Sequence, residues 1–345
     1  MKKIRQISFY FFIFLFCTLL TISCNKARTA ESKKEFQKTD SIKPKKLLNS
    51  TLQLIDTADY TKRMLAISNN DTTGKWPVKT PYPLTGAILP YNRIIAFYGN
   101  LYSKRMGILG QLPKDEMIKK LLEEVESWKA VDSTVKTIPA LHYIVVSAQG
   151  APGKDSKHRK RMPFQQIDKV LDYAKPINAL VFLDIQVGHS TVKEEVPQIE
   201  SYLKLPNVHL GIDPEFSLKN GEIPGSKIGT FTYQDINDAI DFLADIVRKN
   251  NLPPKVLVVH RFTQGMVTGY DKIKKTPEVQ IVMDMDGFGS KILKKSTYKA
   301  YIYKEPVQFT GFKLFYKNDT KKPNVMFTPT EILALTPKPV YIQYQ

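Results

Sequence analysis

The amino-acid sequence predicts an α/β protein whose main domain is a (β/α)8 barrel without its last helix. Between residues 91 and 345, eight short apolar segments alternate with segments of helical periodicity, which is typical of parallel β/α structure. The last apolar segment lies at the end of the sequence, so we expect no eighth helix after it. A doubly wound open sheet is the alternative, but no glycine-rich phosphate loop follows the first strand.

The predicted strands are short runs rich in apolar and β-branched residues. They cover residues 94–98, 141–147, 180–186, 208–213, 256–260, 279–285, 309–315 and 340–343. Between them, apolar residues recur at three- and four-residue spacing, which predicts a buried face on each of two long helices. These faces consist of Met117, Leu121, Leu122, Val125 and Trp128, and of Ile236, Ile240, Leu243 and Val247.

The first 23 residues predict a secretory signal peptide. A basic start precedes a strongly apolar run over residues 7–22, and small residues then precede Cys24. A permanent anchor helix is the alternative, but the apolar run is shorter than the roughly 20 residues that a membrane span needs.

Cys24 is the cysteine that remains once the signal is removed, because Cys17 lies inside the apolar run. A cysteine directly after a signal resembles the lipobox of bacterial lipoproteins, with Thr21 at a position where leucine is usual. The resemblance implies that Cys24 carries lipid and anchors the protein in the outer or inner membrane of the cell envelope. Several acyl chains together make such an anchor stable.

Three further segments follow from composition. Residues 24–46, which begin with the lipidated cysteine, are polar and lysine-rich and predict a tether. Residues 47–90 are a lead-in. Their part 47–69 predicts one amphipathic helix or two short ones, which we expect to cover the gap left by the missing eighth helix. Residues 91–345 form the barrel domain.

The formal net charge of +18 indicates an affinity for anionic surfaces. Nucleic acid is not expected as a partner, because the export signal argues against it and no nucleic-acid-binding motif is present. We expect the membrane as a partner through the N-terminal lipid, and a glycan or another anionic polymer as a ligand.

Ionisable residues end four predicted strands in succession. In a barrel these ends meet at the active-site face, and residues two apart on a strand point to the same side. We predict Glu215 as general acid and Asp213 as its electrostatic partner. Asp184 and Asp284 are candidates for base or nucleophile, and His260 is expected to orient one of them.

The predicted substrate-binding residues are Gln186, Asp286, Tyr98, Arg161 and Lys313. Arg161 belongs to a basic loop, residues 149–162, which we expect to overhang the site and to bind an acidic group. No cofactor is expected. A metal site formed by Asp184, Asp213, Glu215 and His260 is the alternative use of the same side chains, but no His-x-His or cysteine motif supports it.

Two resemblances bear on function. Asp213-x-Glu215 is similar to the end of the chitinase-type signature Asp-x-x-Asp-x-Asp-x-Glu, although Val208 and Gly211 replace its earlier acids. The strand sequences together resemble a group of bacterial lipoproteins with a barrel domain that looks like a glycoside hydrolase. We therefore predict an envelope lipoprotein with a glycoside hydrolase-like cleft. A non-catalytic barrel that binds glycan or protein is the alternative.

Overall fold

A computed structural model describes residues 55–345. The predicted signal peptide, Cys24 and the predicted tether lie outside the described residues. Within the part that is described, no helix combines the length and apolar character needed to cross a membrane.

Eight parallel strands form a closed barrel. They are β1 Asn92–Gly99, β2 Lys136–Ala148, β3 Leu180–Ile185, β4 Val208–Ile212, β5 Lys255–Arg261, β6 Val279–Met285, β7 Phe309–Leu314 and β8 Tyr341–Tyr344. Each strand pairs with its neighbour in this order, and β1 pairs with both β2 and β8. This closure confirms the predicted (β/α)8 barrel of the TIM type and excludes the open sheet. Each predicted strand overlaps one of the eight.

The helices surround the strands. They are α1 Thr57–Ser68, α2 Ile108–Gln111, α3 Lys114–Val131, α4 Phe164–Ala174, α5 Val192–Glu195, α6 Glu200–Leu203, α7 Tyr233–Asn250, α8 Lys291–Thr297 and α9 Pro329–Leu333. A π-helical segment, Tyr298–Tyr303, follows α8. Arg159–Arg161 is a short strand antiparallel to β2, and Phe231–Thr232 pairs with Val267–Thr268 outside the barrel.

The two long helices bury the predicted faces, with one exception. Leu122 is 38% exposed, because it lies about 100° around α3 from the buried Leu121. Trp128 is fully buried and donates a hydrogen bond from Nε1 to Tyr344 Oη at 2.9 Å, which ties α3 to the last strand. Each fully buried large apolar side chain contributes about 1.5–3 kcal/mol to folding.

Helix α1 closes the bottom of the barrel. Its buried residues Tyr60, Met64 and Ile67 pack against inward-facing residues from the amino ends of the strands, among them Ile94 and Phe182. The described part of segment 47–69 therefore does not cover the gap left by the missing eighth helix, and that expectation is wrong. An amphipathic pattern predicts that a helix buries one face, but it does not specify which surface that face covers.

The barrel interior is apolar below and polar above. The lower half is filled by side chains such as Val256, Val258 and Val282. Towards the carboxyl ends of the strands, the inward-facing positions carry hydroxyl, imidazole, carboxyl and amino groups instead. Helix α1 closes the amino-terminal end of the barrel. The polar groups can therefore be reached only from a cleft at the carboxyl ends of the strands.

Candidate active site

A fully buried carboxylate lies at the centre of the polar half. Oδ1 of Asp184 is 3.1 Å from His142 Nε2 and 3.2 Å from His260 Nε2, and Oδ2 accepts a hydrogen bond from Tyr98 Oη at 3.0 Å. Burial alone would raise the pKa of Asp184, but the two imidazoles outweigh it and hold this pKa well below its usual range. Asp184 is therefore an anion.

Gly211 makes room for this group. A Cβ atom at Gly211 would lie 2.3 Å from Asp184 Oδ1 and 2.4 Å from His142 Nε2, which is closer than such atoms can approach. The glycine in β4 is thus required by the buried side chains of β2 and β3.

The imidazole of His260 links this centre to the floor of the cleft. Its Nδ1 atom lies 3.0 Å from Asp286 Oδ2, and Lys313 Nζ lies 2.9 Å from Asp286 Oδ1. Burial would lower the pKa of His260, but Asp184 and Asp286 raise it well above its usual value. Burial would raise the pKa of Asp286, yet Lys313 and His260 lower it. Asp286 is therefore also an anion.

A cleft of about 670 Å³ opens above this network. This volume lies in the range of about 300–1,000 Å³ that is typical of small-molecule sites. Of the residues predicted from the sequence, those that line the cleft are Tyr98, Gln186, Asp213, Glu215, Asp286 and Lys313.

Asp184, Asp284 and His260 do not line the cleft. All three side chains are fully buried beneath its floor. Asp184 and Asp284 were predicted as base or nucleophile. This prediction is wrong, because neither carboxyl group can touch a substrate bound in the cleft. His260 was expected to orient Asp184 or Asp284, and its Nε2 atom does contact Asp184 Oδ1, while its Nδ1 atom faces Asp286, which was not expected. Asp284 has no hydrogen-bond partner among residues 55–345, and burial raises its pKa to about 7.

The two acids after β4 reach the cleft through a tight turn. Residues Pro214–Phe216 form a 3-10 turn, and the backbone N–H of Glu215 donates to Asp213 Oδ1 at 3.0 Å. The alternation of a strand, on which their shared face was predicted, does not extend to them, because β4 ends at Ile212. Gln186 Nε2 donates to the second oxygen of Asp213 at 3.3 Å.

Both acids have raised pKa values. Burial, opposed by His260 but assisted by the charge of Glu215, raises the pKa of Asp213 to about 8. Burial and the negative charge of Asp286 raise the pKa of Glu215 to about 7. The carboxyl group of Glu215 has no hydrogen-bond or ion-pair partner within the described part of the chain. The side chain of Glu215 lines the cleft, and its raised pKa leaves part of this carboxyl group protonated near neutral pH.

Arg161 is not part of the cleft, so its predicted role in substrate binding is withdrawn. Its guanidinium contacts the fully buried Glu195 at 2.7 Å, and Arg159 contacts the same carboxylate at 2.8 Å. Burial would raise the pKa of Glu195, but hydrogen bonds from Arg161, Ser190 and Arg159 lower it. Glu195, at the end of α5, thus holds the basic loop in position. Gln149 is the residue of this loop that lines the cleft.

Loss of this carboxylate should destabilise the fold. We expect Glu195→Ala to lower the free energy of unfolding by about 1.5–3 kcal/mol, because it leaves the nearly buried Arg159 without one of its acidic partners. Urea unfolding measures the effect. Glu200→Ala removes an exposed pair with Lys204 and should cost only about 0.3–0.5 kcal/mol. Equal losses in the two variants would contradict a structural role for Glu195.

One group of described residues has the chemistry of a metal site. The ligand atoms of His142, Asp184 and His260 all lie within 4.8 Å of one another. Asp213 and Glu215, which were also considered as ligands, do not belong to this group. In the structure Asp184 Oδ1 is the hydrogen-bond partner of both imidazoles.

Sequence reasoning missed several residues of the polar half. His142 lies on β2, and Tyr341 and Gln343 lie on β8, where Tyr341 Oη and Gln343 Nε2 both contact His142 Nδ1. The available signal was a polar residue inside an apolar strand, which is costly to bury without partners. The search for acids at strand ends passed over these positions.

Comparison with known proteins concerns the fold alone. No protein-family model matches the chain, and no curated protein matches it. A solved structure of the cellulase Cel5C_n has a TM-score of 0.44 and 12% identity, over 74% of this chain and 75% of that one. The 7,8-dihydropteroate synthase of Vibrio fischeri ES114 has a TM-score of 0.34 and 11% identity, over 75% of this chain and 88% of that one. A sugar phosphate isomerase/epimerase of Parabacteroides distasonis has a TM-score of 0.34 and 9% identity, over 78% of this chain and 90% of that one.

Proposed function

We propose that the protein is a glycoside hydrolase-like enzyme with Glu215 as general acid and Asp286 as the ionised partner. One observation carries this proposal. Two carboxyl groups line the same cleft, and their surroundings shift their pKa values in opposite directions. Such a pair is the arrangement that glycosidic hydrolysis needs, because one group must donate a proton while the other stays negative.

The reaction follows from these two states. Glu215 donates its proton to the glycosidic oxygen as the bond from this oxygen to the anomeric carbon breaks. If Asp286 is the nucleophile, its oxygen bonds to the anomeric carbon and water displaces it, while the Glu215 carboxylate takes a proton from this water. If Asp286 is the base, it takes the proton of the attacking water directly. Retention or inversion at the anomeric carbon distinguishes the two routes.

The non-catalytic alternative is favoured by carboxylates that are each paired with a cation. Asp286 meets this description through Lys313 and His260, whereas Glu215 does not. An unpaired acid whose pKa is raised to about 7 in a cleft is more typical of a catalytic acid than of a binding residue. The state of Glu215 therefore favours the enzyme.

The test is a hydrolysis screen of the purified chain against neutral and acidic glycans and aryl glycosides, with the anomeric products followed by NMR. We expect release of a sugar from at least one substrate, with one stereochemical outcome. Binding of a glycan without cleavage anywhere in the panel would support the non-catalytic barrel instead. At the mouth of the cleft, the guanidinium of Arg105 has no acidic partner among the described residues, so acidic sugars belong in the panel.

We further propose that the protein acts in the cell envelope, held by lipid on Cys24. The basic start, apolar run and following cysteine of the sequence support this location. Cys24→Ala should abolish incorporation of labelled fatty acid and move the protein out of the membrane fraction. Continued labelling of the variant would refute the lipid site. Cys17→Ala is the matched control and should leave labelling unchanged.

A further inference from the structure

Exposed apolar side chains are concentrated on two loops and one helix at the carboxyl end of the barrel. Phe288 is 58% exposed, and Ile292 and Leu293, which are neighbours on α8, are 80% and 55% exposed. Val325, in the loop between β7 and α9, is 62% exposed. Single exposed apolar side chains are ordinary, but several in one region are typical of an interaction surface.

The loop that carries Val325 lies against the segment that carries the other three. The backbone N–H of Gly289 donates to Asp319 Oδ1 at 2.9 Å. Further along the loop, the ring centroid of Phe327 is 5.7 Å from Lys295 Nζ of α8. Val325 lies between these two contacts in the chain, so the four side chains belong to one region of the surface.

The same region is strongly basic. Residues 287–330 contain nine lysines, no arginine and two acids, Glu305 and Asp319. Both acids form ion pairs, Glu305 with Arg261 and Asp319 with Lys294. Neither acid is therefore left to neutralise the exposed lysines of this region.

Three exposed lysines lie in the loop between β7 and α9. Lys317, Lys321 and Lys322 form no ion pair within residues 55–345. Together with the exposed apolar side chains they form a surface that we call the docking face. It consists of Phe288, Ile292, Leu293, Val325, Lys317, Lys321 and Lys322.

A bilayer of anionic phospholipid matches both properties of the docking face. Lysine ammonium groups are attracted to its negative headgroups, and exposed apolar side chains enter the boundary between headgroups and acyl chains. A soluble anionic polymer would leave Ile292 and Val325 in water. A sugar ring stacks on aromatic side chains, but these two are aliphatic and do not line the cleft. We propose that the docking face binds the surface of an anionic phospholipid bilayer.

Docking would place the cleft at the bilayer surface. Phe288 and Leu293 belong to the docking face and also line the cleft. The cleft would therefore open beside the lipid headgroups. Docking requires neither the hydrolysis nor the lipid on Cys24 proposed above, so its failure would leave both of those proposals intact.

The test follows ¹³C-labelled methyl groups of isoleucine and leucine in the full chain. The chain is reconstituted in bicelles that carry a lipid-bound gadolinium chelate, made of phosphatidylcholine alone or mixed with phosphatidylglycerol. We expect the chelate to broaden the Ile292 and Leu293 signals in the mixed bicelles and not in phosphatidylcholine alone. Leu65, which is 57% exposed on α1 at the amino-terminal end of the barrel, should keep its signal in both.

Substitutions separate the docking face from general charge. Lys321→Gln combined with Lys322→Gln should lower the ratio of docked to undocked protein about 30-fold, because each lysine near an anionic bilayer strengthens binding. The broadened signals should then recover. Lys62→Gln combined with Lys136→Gln is the matched control, because these exposed lysines lie on α1 and at the start of β2, and it should change the ratio less than twofold. Ile292→Ser, which removes an apolar side chain from the lipid, should lower the ratio about tenfold.

Three results would overturn the docking: broadening in phosphatidylcholine alone, equal broadening of Leu65 and Leu293, or equal effects of the two lysine pairs. Shifts of the Ile292 signal caused by soluble polyglutamate but not by the anionic bicelles would assign the surface to a soluble polymer instead.

Discussion

Glu215→Gln should reduce turnover by about 10²–10⁴-fold while substrate affinity and fold are kept. The amide has nearly the same shape as the carboxyl group but cannot donate an acidic proton to the leaving oxygen. The loss corresponds to about 3–5 kcal/mol of activation barrier. Initial rates on the glycoside found by the screen, together with a thermal melt of both proteins, measure the effect.

The pH dependence of the native enzyme provides a second measure of the same residue. Burial and Asp286 raise the pKa of Glu215 to about 7, so the protonated form dominates below this pH. Activity should therefore fall as the pH rises through about 7, because the acid is lost. Glu116→Gln, an exposed substitution on α3, should leave rates and profile unchanged. Full turnover in Glu215→Gln would exclude Glu215 as the acid.

Asp184→Ala should lower the free energy of unfolding by about 3–5 kcal/mol. Asp184 is fully buried and contacts both His142 and His260, so its removal leaves the positively charged His260 with less compensation in the barrel centre. Equilibrium unfolding in urea, with the slope of the transition compared between proteins, measures this loss.

Asp238→Ala is the matched control for this prediction. Asp238 is exposed on α7, and its substitution should change stability by less than about 0.5 kcal/mol. A small effect for Asp184→Ala would mean that the His142–Asp184–His260 group does not hold the barrel centre together. Loss of activity without loss of stability would give Asp184 a purely functional role.

The barrel could be predicted because its strands are nearly all apolar and its helices keep a regular spacing. The run from Val256 to Val259, for example, is apolar at every position, which is typical of a strand buried on both faces of a parallel sheet. The position of α1 could not be predicted in the same way. Its pattern shows that one face is buried, but the surface that it covers depends on long-range packing with residues such as Ile94 and Phe182.

The site was predicted in part for a similar reason. The rule that strand ends carry the site correctly brought Glu215, Asp286 and Lys313 together at one cleft. It could not give depth, so Asp184 and Asp284 were placed in contact with substrate. It also could not show that Arg161 has a buried acidic partner 34 residues away in the chain.

The most direct test of the central claim is the pKa of Glu215 itself, measured by ¹³C NMR of its side-chain carboxyl carbon without any substrate. We expect a pKa near 7 in the native protein. In Asp286→Asn this pKa should fall, because the negative charge that helps to keep Glu215 protonated is gone. An ordinary glutamate value that is the same in both proteins would contradict the account, since the cleft would then hold no proton donor matched to an ionised partner.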